Sequence, residues 1–501
     1  MIPKTRKNLP ISYALYSLLV ITIVYAAFFG AYSLQKHAAF QTTGFDLGNY
    51  DQAMWNTLRG KPLAMTTVQS ISSRWAAHFE PVLLLLVPIY AMFSFPQTLL
   101  ILQTVIVALG AVPIFLLARR NLASDLAGLV FATVYLLFPA LQAALIFDFH
   151  TVAMAPTFLT FALWFLATRR YRLLTIMALL AMGCKEDISL SILMMGVYVW
   201  LAQRQRRWGV AIIVVSGLWF ALVNLVVIPA TSPIGDNIHL TRYNRLGNSM
   251  GELIGNVLLH PFASLGLMFS DGDRFRYWVR AMMPVAFTAF FDPLTLLMAV
   301  PIMAINTLSS FSLNYQLDRF HYSATIVPFV TVASINGLAQ LIKFAEPKFK
   351  HVKPGFLRNA LLAMVLLVTL AYQVQFGHTP IGQYFERPVI TEHHHKAEAM
   401  LAQIPPQAAV AAQNNLIPHL SQRQWIFILP KLSHQGKQAG YIALDMHSGL
   451  YPYSFIEAYC DQISEFLASP DYGLIFADDG LLLFKRDAPD TATFEPMSPC
   501  Q

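Results

Sequence analysis

ISYALYSLLVITIVYAAFFGAYSL, residues 11–34, carries no charged side chain. A helix rises about 1.5 Å per residue, so this run crosses the roughly 30 Å hydrocarbon core of a bilayer. Close behind it comes GFDLGNYDQAMWNTLRGKP (44–62), polar and holding Asp46 and Asp51. An apolar anchor opening onto an acidic loop sets the reading of the rest. The 501 residues are 56% apolar and only 12% charged, and mean hydropathy is +0.51. Soluble domains carry about 25% charge. A multidomain soluble enzyme is excluded, as are disorder, collagen and coiled coil. The composition predicts an all-α polytopic membrane protein with about eleven transmembrane helices: 11–34, 98–118, 123–145, 151–168, 172–184, 188–203, 208–229, 274–292, 294–312, 321–343 and 359–377.

Basic residues fix the expected orientation. Lys4, Arg6 and Lys7 precede the first run, which has no small-residue cleavage site and reads as an uncleaved anchor. Arg119 and Arg120, then Arg169, Arg170 and Arg172, then Arg204, Arg206 and Arg207 occupy alternate loops. Lys343, Lys348, Lys350, Lys353 and Arg358 form a last group. The positive-inside rule makes these loops and the N-terminus cytoplasmic. The net charge of +7 is thereby explained without a nucleic-acid partner. Residues 81–95 and 252–270 are apolar but short or proline-broken, and read as interfacial or re-entrant segments.

The opposite loops collect the ionisable side chains: Asp46 and Asp51, His78 and Glu80 in HFEP, Asp148 and His150 in FDFH, Lys185-Glu186-Asp187, and Asp318, Arg319, His321 and Tyr322 in LDRFHY. Ionisable groups beside membrane spans are costly and usually line a site. Asp46 lies between Phe45 and Leu47; partial burial is expected to raise its pKa and suit it to general-base work. Asp148 and His150, with Glu186 and Asp187, offer hard ligands for a divalent ion such as Mg²⁺ or Mn²⁺. Asp51, His78, Glu80, Lys185, Arg319, His321 and Tyr322 are the expected substrate contacts, Lys185 and Arg319 toward phosphate. Arg242 and Arg245 are further candidates. Helix capping and interfacial anchoring are the ordinary alternatives for such residues.

From residue 380 the character changes. Runs at 408–413, 425–429 and 441–446 read as strands, 454–469 as an amphipathic helix, and 472–486 as a hairpin turning at Asp479-Gly480. The expected division is a multispanning unit, 1–379, with an outer loop at 35–97, and a small extracytoplasmic α/β domain, 380–501. Cys460 and Cys500 can pair if that region is exported. Cys184 reads as a core residue, and Glu392-His393-His394-His395 as a linker rather than a metal tract, since consecutive side chains diverge. There is no P-loop, dinucleotide fingerprint, nucleophile elbow or zincin motif. An activated donor at an outer site must therefore arrive on a membrane carrier.

FDLGNYDQAMW, HFEP, FDFH, KED, FHY and PHLSQR (418–423), in this order, resemble the bacterial membrane protein family known as domain of unknown function 2079. The likeness runs from about residue 40 to about 430. That family is similar to the GT-C membrane glycosyltransferases, which carry an acidic residue in the first outer loop and take sugar from a polyprenyl-phosphate carrier. The resemblance implies that Asp46 occupies the catalytic acidic position, though Leu47 stands where a second acid often follows. It implies a multipass protein of the bacterial cytoplasmic membrane. The expected partners are membrane lipid, a polyprenyl-phosphate-linked sugar, and an envelope glycan, lipid or protein acceptor. The alternatives are a transporter or flippase for a lipid-linked or anionic solute, and a non-catalytic envelope scaffold.

Overall fold

A computed structural model describes residues 11–68, 71–348, 355–495 and 500. Lys4, Arg6, Lys7, Lys350 and Lys353 lie outside the described residues. Helix α1 is Ile11–Ala38. A π-turn, Gly44–Gly48, leads into α2, Asn49–Thr57, and an irregular stretch then reaches α3, Val82–Met92. Helices α4 (Pro96–Leu109) and α5 (Ala111–Asn121) run on as one apolar rod, and α6 (Asp125–Leu136) and α7 (Pro139–Phe147) bend by 44°. Pro139 explains the bend, because its ring blocks continuation of the preceding turn. Next come α8 (Thr151–Ala167), α9 (Tyr171–Met182), α10 (Ile188–Leu201), α11 (Arg206–Leu222) and its continuation α12 (Ile228–Thr231).

Among the described residues, five helices are long and apolar enough to cross a membrane, or six with the bent pair counted as one. They are Tyr13–Ala38, Pro96–Asn121, Arg206–Thr231, His321–Ala345 and Phe356–Phe376. The expected runs at 151–168, 172–184 and 188–203 are helical but form the shorter α8, α9 and α10. The expected pair 274–292 and 294–312 is not two straight helices. After α13 (Met250–Leu259) and α14 (Pro261–Met268), it breaks into α15 (Gly272–Met282), α16 (Pro293–Leu296) and α17 (Val300–Leu308). Prolines 284, 293 and 301 and the left-handed Ala286 and Phe287 interrupt it. Neither α3 nor the α13–α14 pair is long enough to span; Leu84, Leu85, Met92, Leu258, Leu259 and Phe262 are exposed on them, as interfacial helices require.

Helices α18 (Val327–Ala345) and α19 (Phe356–Phe376) complete the bundle. Its core joins α1, α4 to α10 and α18 through residues such as Phe29, Phe115, Phe131, Tyr135 and Phe329. The arginine-bearing turns meet at one end: Arg120 donates to the Ala167 carbonyl (2.7 Å), and Tyr171 to Gln203 (2.8 Å). The turns with carboxylates and imidazoles meet at the other.

The C-terminal region contains α20 (Glu392–Leu401), α21 (Ile456–Leu467) and strands β1 (Val410–Ala412), β2 (Ile426–Ile428), β3 (Ser433–His434), β4 (Lys437–Gln438), β5 (Tyr441–Asp445), β6 (Tyr472–Asp478) and β7 (Leu481–Arg486). The main sheet has the order β2-β1-β5-β7-β6. Strand β1 is parallel to β2 and β5, while β7 is antiparallel to β5 and β6. All the strand runs read from sequence are present, and the hairpin turns at Asp479-Gly480, both at positive φ. Cys460 and Cys500 are disulfide-bonded and Cys184 is buried. The expected linker 392–395 is instead the first turn of α20, capped by Thr391 and His394: one helical turn lets each imidazole find its own partner.

Candidate functional site

The acidic turn is built by close packing. Gly44 and Gly48 sit so near Ile417 that a Cβ at either would lie 2.7 Å from it. Asn414 Oδ1 accepts the backbone N–H groups of Gly44 (2.9 Å) and Phe45 (3.3 Å). The segment just before PHLSQR therefore clamps the turn that carries Asp46. Asp51, expected to touch substrate, is fully buried in the same joint. Its carboxylate accepts from Tyr90 Oη (2.5 Å) and Ser421 Oγ (2.6 Å), and burial pushes its carboxyl up to about 6 against these donors.

Between α7 and α8 the FDFH loop is extended at Asp148 and His150. Gln103 on α4 pins it, donating to the Asp148 carbonyl (3.0 Å) and accepting the His150 N–H (2.6 Å). The loop thereby meets the acidic turn. His150 Nε2 is 2.9 Å from Asp46 Oδ1. Thr43 donates its N–H to Asp148 Oδ2 (2.9 Å) and its hydroxyl to Asp46 Oδ2 (2.8 Å). His321 stacks on His150 at 3.7 Å, with Tyr322 beside it at 4.2 Å. Lys36, at the end of α1, donates to the carbonyls of Ile146 (2.7 Å) and Phe147. Among the described residues, Asp148 Oδ1 and His150 Nδ1 have no hydrogen-bond partner. The Asp46 side chain is 21% exposed, so a ligand can reach it.

The two carboxyls diverge in acidity. Burial works to raise that of Asp46, but the facing His150, the Thr43 hydroxyl and the Lys36 charge outweigh it and hold it below the ordinary range. This reverses the expected upward shift, which took the apolar neighbours into account and not the imidazole from a loop 104 residues away. Asp148 is the raised one: burial, opposed by Lys36 and assisted by Asp46, pushes it up to about 7. One ionised and one protonated carboxyl side by side is the pattern of a divided acid–base site.

The KED turn between α9 and α10 forms the next wall. Glu186 accepts from His78 Nδ1 (2.9 Å) and the Phe79 N–H (3.3 Å). Burial would raise its carboxyl, but His78 and then Lys185 hold it near 2. Lys185 Nζ is 2.7 Å from Asp187 Oδ2. The His239 imidazole is pushed well below its ordinary range by burial and by His78, Arg242, Lys185 and Arg74. Glu80 is withdrawn from the site. It is buried, paired with Arg74 and bonded by Tyr50 and Thr151, and it braces the outer loop. The Arg319 guanidinium lies 3.9 Å over the Tyr384 ring. The Arg242 guanidinium lies 4.4 Å over the Phe311 ring, and its charge opposes burial and Asp46, which raise the Tyr451 phenol.

The expected Mg²⁺ or Mn²⁺ ligands Asp148, His150, Glu186 and Asp187 do not converge. Each is engaged by a different partner, in two separate clusters. Among the described residues, the only group of three or more such side chains with mutually close ligand atoms is His393, His447 and Asp479. Sequence reasoning missed Lys36, Thr43, Asn414 and Tyr451. Lys36 is a charge at the end of the first span and was readable as such; the other three are ordinary loop residues that only the long-range packing brings in. A cavity of about 520 Å³ lies above the acidic turn, bounded by Thr43, Asn415, His447 and Tyr451 among others.

Comparison with known proteins fits this arrangement. The profile of a family described as Predicted membrane protein (DUF2079) matches residues 36–483. The chain belongs to that family. The match takes in the acidic turn, the FDFH and KED loops and the clamping segment together. No curated protein sequence matches the chain. Among solved structures it is similar to ArnT from Cupriavidus metallidurans bound to undecaprenyl phosphate, with a TM-score of 0.52 and 14% identity over 93% of this chain and 97% of that one. The apo form of the same protein matches with a TM-score of 0.52 and 15% identity, over 94% and 98%. The family member thus has an ArnT-like fold along nearly its whole length, and is a multipass membrane protein.

Proposed function

We propose that this protein transfers a sugar from a polyprenyl-phosphate carrier to an envelope acceptor at the outer face of the bacterial cytoplasmic membrane. The observation that carries the reading is the meeting of Asp46, Asp148, His150 and His321 from three distant loops, in a fold similar to ArnT, whose structure holds undecaprenyl phosphate. The basic turns at the opposite end of the bundle support an outward-facing site, as does the Cys460–Cys500 disulfide in the C-terminal region.

In this reading the acceptor hydroxyl lies against Asp46, which is ionised and oriented by His150. As the hydroxyl oxygen bonds to the sugar's anomeric carbon, its proton passes to Asp46. The bond from that carbon to the phosphate oxygen breaks, and the polyprenyl phosphate leaves with the electron pair, inverting the centre. The donor is a phosphate diester and releases a phosphate monoester that is stable as an anion, so no general acid is needed. Lys185 and Arg242 face the departing phosphate. Asp148, protonated below about pH 7, offers its unpartnered Oδ1 to a sugar hydroxyl. The C-terminal region covers the acceptor side. No step is routed through a metal.

The test is transfer by the purified protein from polyprenyl-phosphate sugars to a panel of envelope acceptors. Asp46→Asn is expected to lower the rate by about 10²–10⁴-fold with donor affinity little changed. Transfer unaffected by that substitution removes Asp46 as base. Uptake into sealed vesicles without transfer makes the protein a transporter.

A further inference from the structure

The second residue of the tract Glu392–His395 meets two segments that the transfer reaction does not use. His393 on the first turn of α20 has both ring nitrogens engaged. Nε2 is 3.1 Å from Asp445 Oδ1, and Nδ1 is 3.0 Å from Asp479 Oδ2. The His447 ring stacks on that of His393, 4.7 Å between centres. One ligand atom from each of His393, His447 and Asp479 lies within 4.8 Å of the others.

The surroundings are those of a prepared ligand set. Asp445 is buried and is itself fixed, accepting from Asn415 Nδ2 (2.7 Å) and the His447 N–H (3.0 Å). A histidine that binds a metal through one nitrogen commonly donates the other N–H to a carboxylate held in this way. Asp445 therefore sets the tautomer of His393 and leaves Nδ1 toward Asp479. Asp479 is held in place by the tight hairpin turn, at a φ of 50°. The three ligands come from α20, the loop after β5 and the β6–β7 turn, so they converge only in the fold.

We propose that His393, His447 and Asp479 bind a zinc-class divalent metal. Two imidazoles and one carboxylate suit Zn²⁺ and its borderline neighbours, not Mg²⁺. Tetrahedral ligands at about 2.1 Å stand about 3.4 Å apart. Reaching that from the present spacing needs only side-chain rotation of His447 and Asp479, both exposed. The fourth position opens toward the cavity that His393 and His447 line. The ion would tie α20 and the hairpin tip to the loop that ends at Tyr451, whose ring packs 5.2 Å from Phe45, the neighbour of Asp46. It would steady the cover over the acidic turn without joining the reaction.

The experiment uses full-length protein in detergent, with any affinity tag removed and metal stripped by chelator. Zn²⁺ is titrated by calorimetry and Co²⁺ by visible absorption. One ion per chain is expected, with a tetrahedral Co²⁺ spectrum and a higher Tm on adding Zn²⁺ but not Mg²⁺. His447→Ala and Asp479→Asn each weaken binding at least about tenfold, and Asp445→Asn by about 10–100-fold. His395→Ala, which lies outside the set, leaves it unchanged. Absence of saturable binding in the wild type overturns the proposal and leaves His393 as a hydrogen-bond bridge between two carboxylates. Binding that survives both His447→Ala and Asp479→Asn overturns it too, and assigns the ion to the histidine tract alone.

Discussion

At the scale of single residues, the site works by setting two similar groups apart. Asp46 and Asp148 share Thr43, yet one faces an imidazole and the other is enclosed. Asp148 keeps its proton up to about pH 7, against about 3.9 for a free aspartate. The folded chain therefore binds this proton more tightly than the unfolded chain does. The resulting stability is complete below about pH 4 and is lost as pH rises toward 7. Above pH 7 a second negative charge stands beside Asp46 and opposes an anionic donor. Transfer is expected to fall as pH rises through about 7, and Asp148→Asn, permanently neutral, to remove that alkaline limb. A pH–rate profile of both proteins checks this; the same limb in the variant contradicts it. Asp46, Asp148 and His150 were all legible as candidates, because charges in short connections between apolar runs are costly. The direction of the Asp46 shift was not legible, because the group that decides it arrives through the fold. Nor was the retirement of Glu80 and Asp51 into structural bonds, since a carboxylate looks the same in sequence whether Arg74 or a substrate faces it.

At the scale of elements, the acidic turn and the segment before PHLSQR form one joint. Gly44 admits Ile417 against the backbone, and a methyl group there has no room. Gly44→Ala is expected to cost about 1–3 kcal/mol and to reduce transfer by displacing Asp46. Ile417→Ala opens the space, so the double variant should lose less stability than the two single losses added together. Thermal melts in detergent measure this, and simple additivity would contradict the joint. Long apolar runs such as 11–34 and 359–377 announced their helices plainly, and the short apolar runs near 410 and 441 announced strands. The stretch from 274 to 312 misled because hydropathy alone says nothing of Pro284, Pro293 and Pro301, which divide it. The histidine run at 392–395 was hidden for the opposite reason: its role depends on Asp445 and Asp479, far along the chain.

At the scale of the whole molecule, charge is sorted to two ends. Arginine turns meet at one, and carboxylates, imidazoles and the C-terminal sheet at the other. The sorting predicts topology. With Cys460 and Cys500 bonded and Cys184 buried, an engineered thiol reports its own side of the membrane. Lys437→Cys should react with an impermeant maleimide on intact spheroplasts, and Arg207→Cys only after lysis. The reverse pattern would turn the site toward the cytoplasm. The sorting of basic turns from carboxylate and imidazole loops was readable because the positive-inside bias acts on sequence directly; the convergence of the loops was readable only through the resemblance, since topology alone does not bring Asp46 to His150. That convergence is the central claim. A cryo-EM structure of the protein with undecaprenyl phosphate tests it most directly. The account predicts the phosphate within hydrogen-bond reach of Lys185 or Arg242, next to Asp46, with the isoprenoid tail leaving between helices. A phosphate bound on another face of the bundle, out of reach of Asp46, would contradict it.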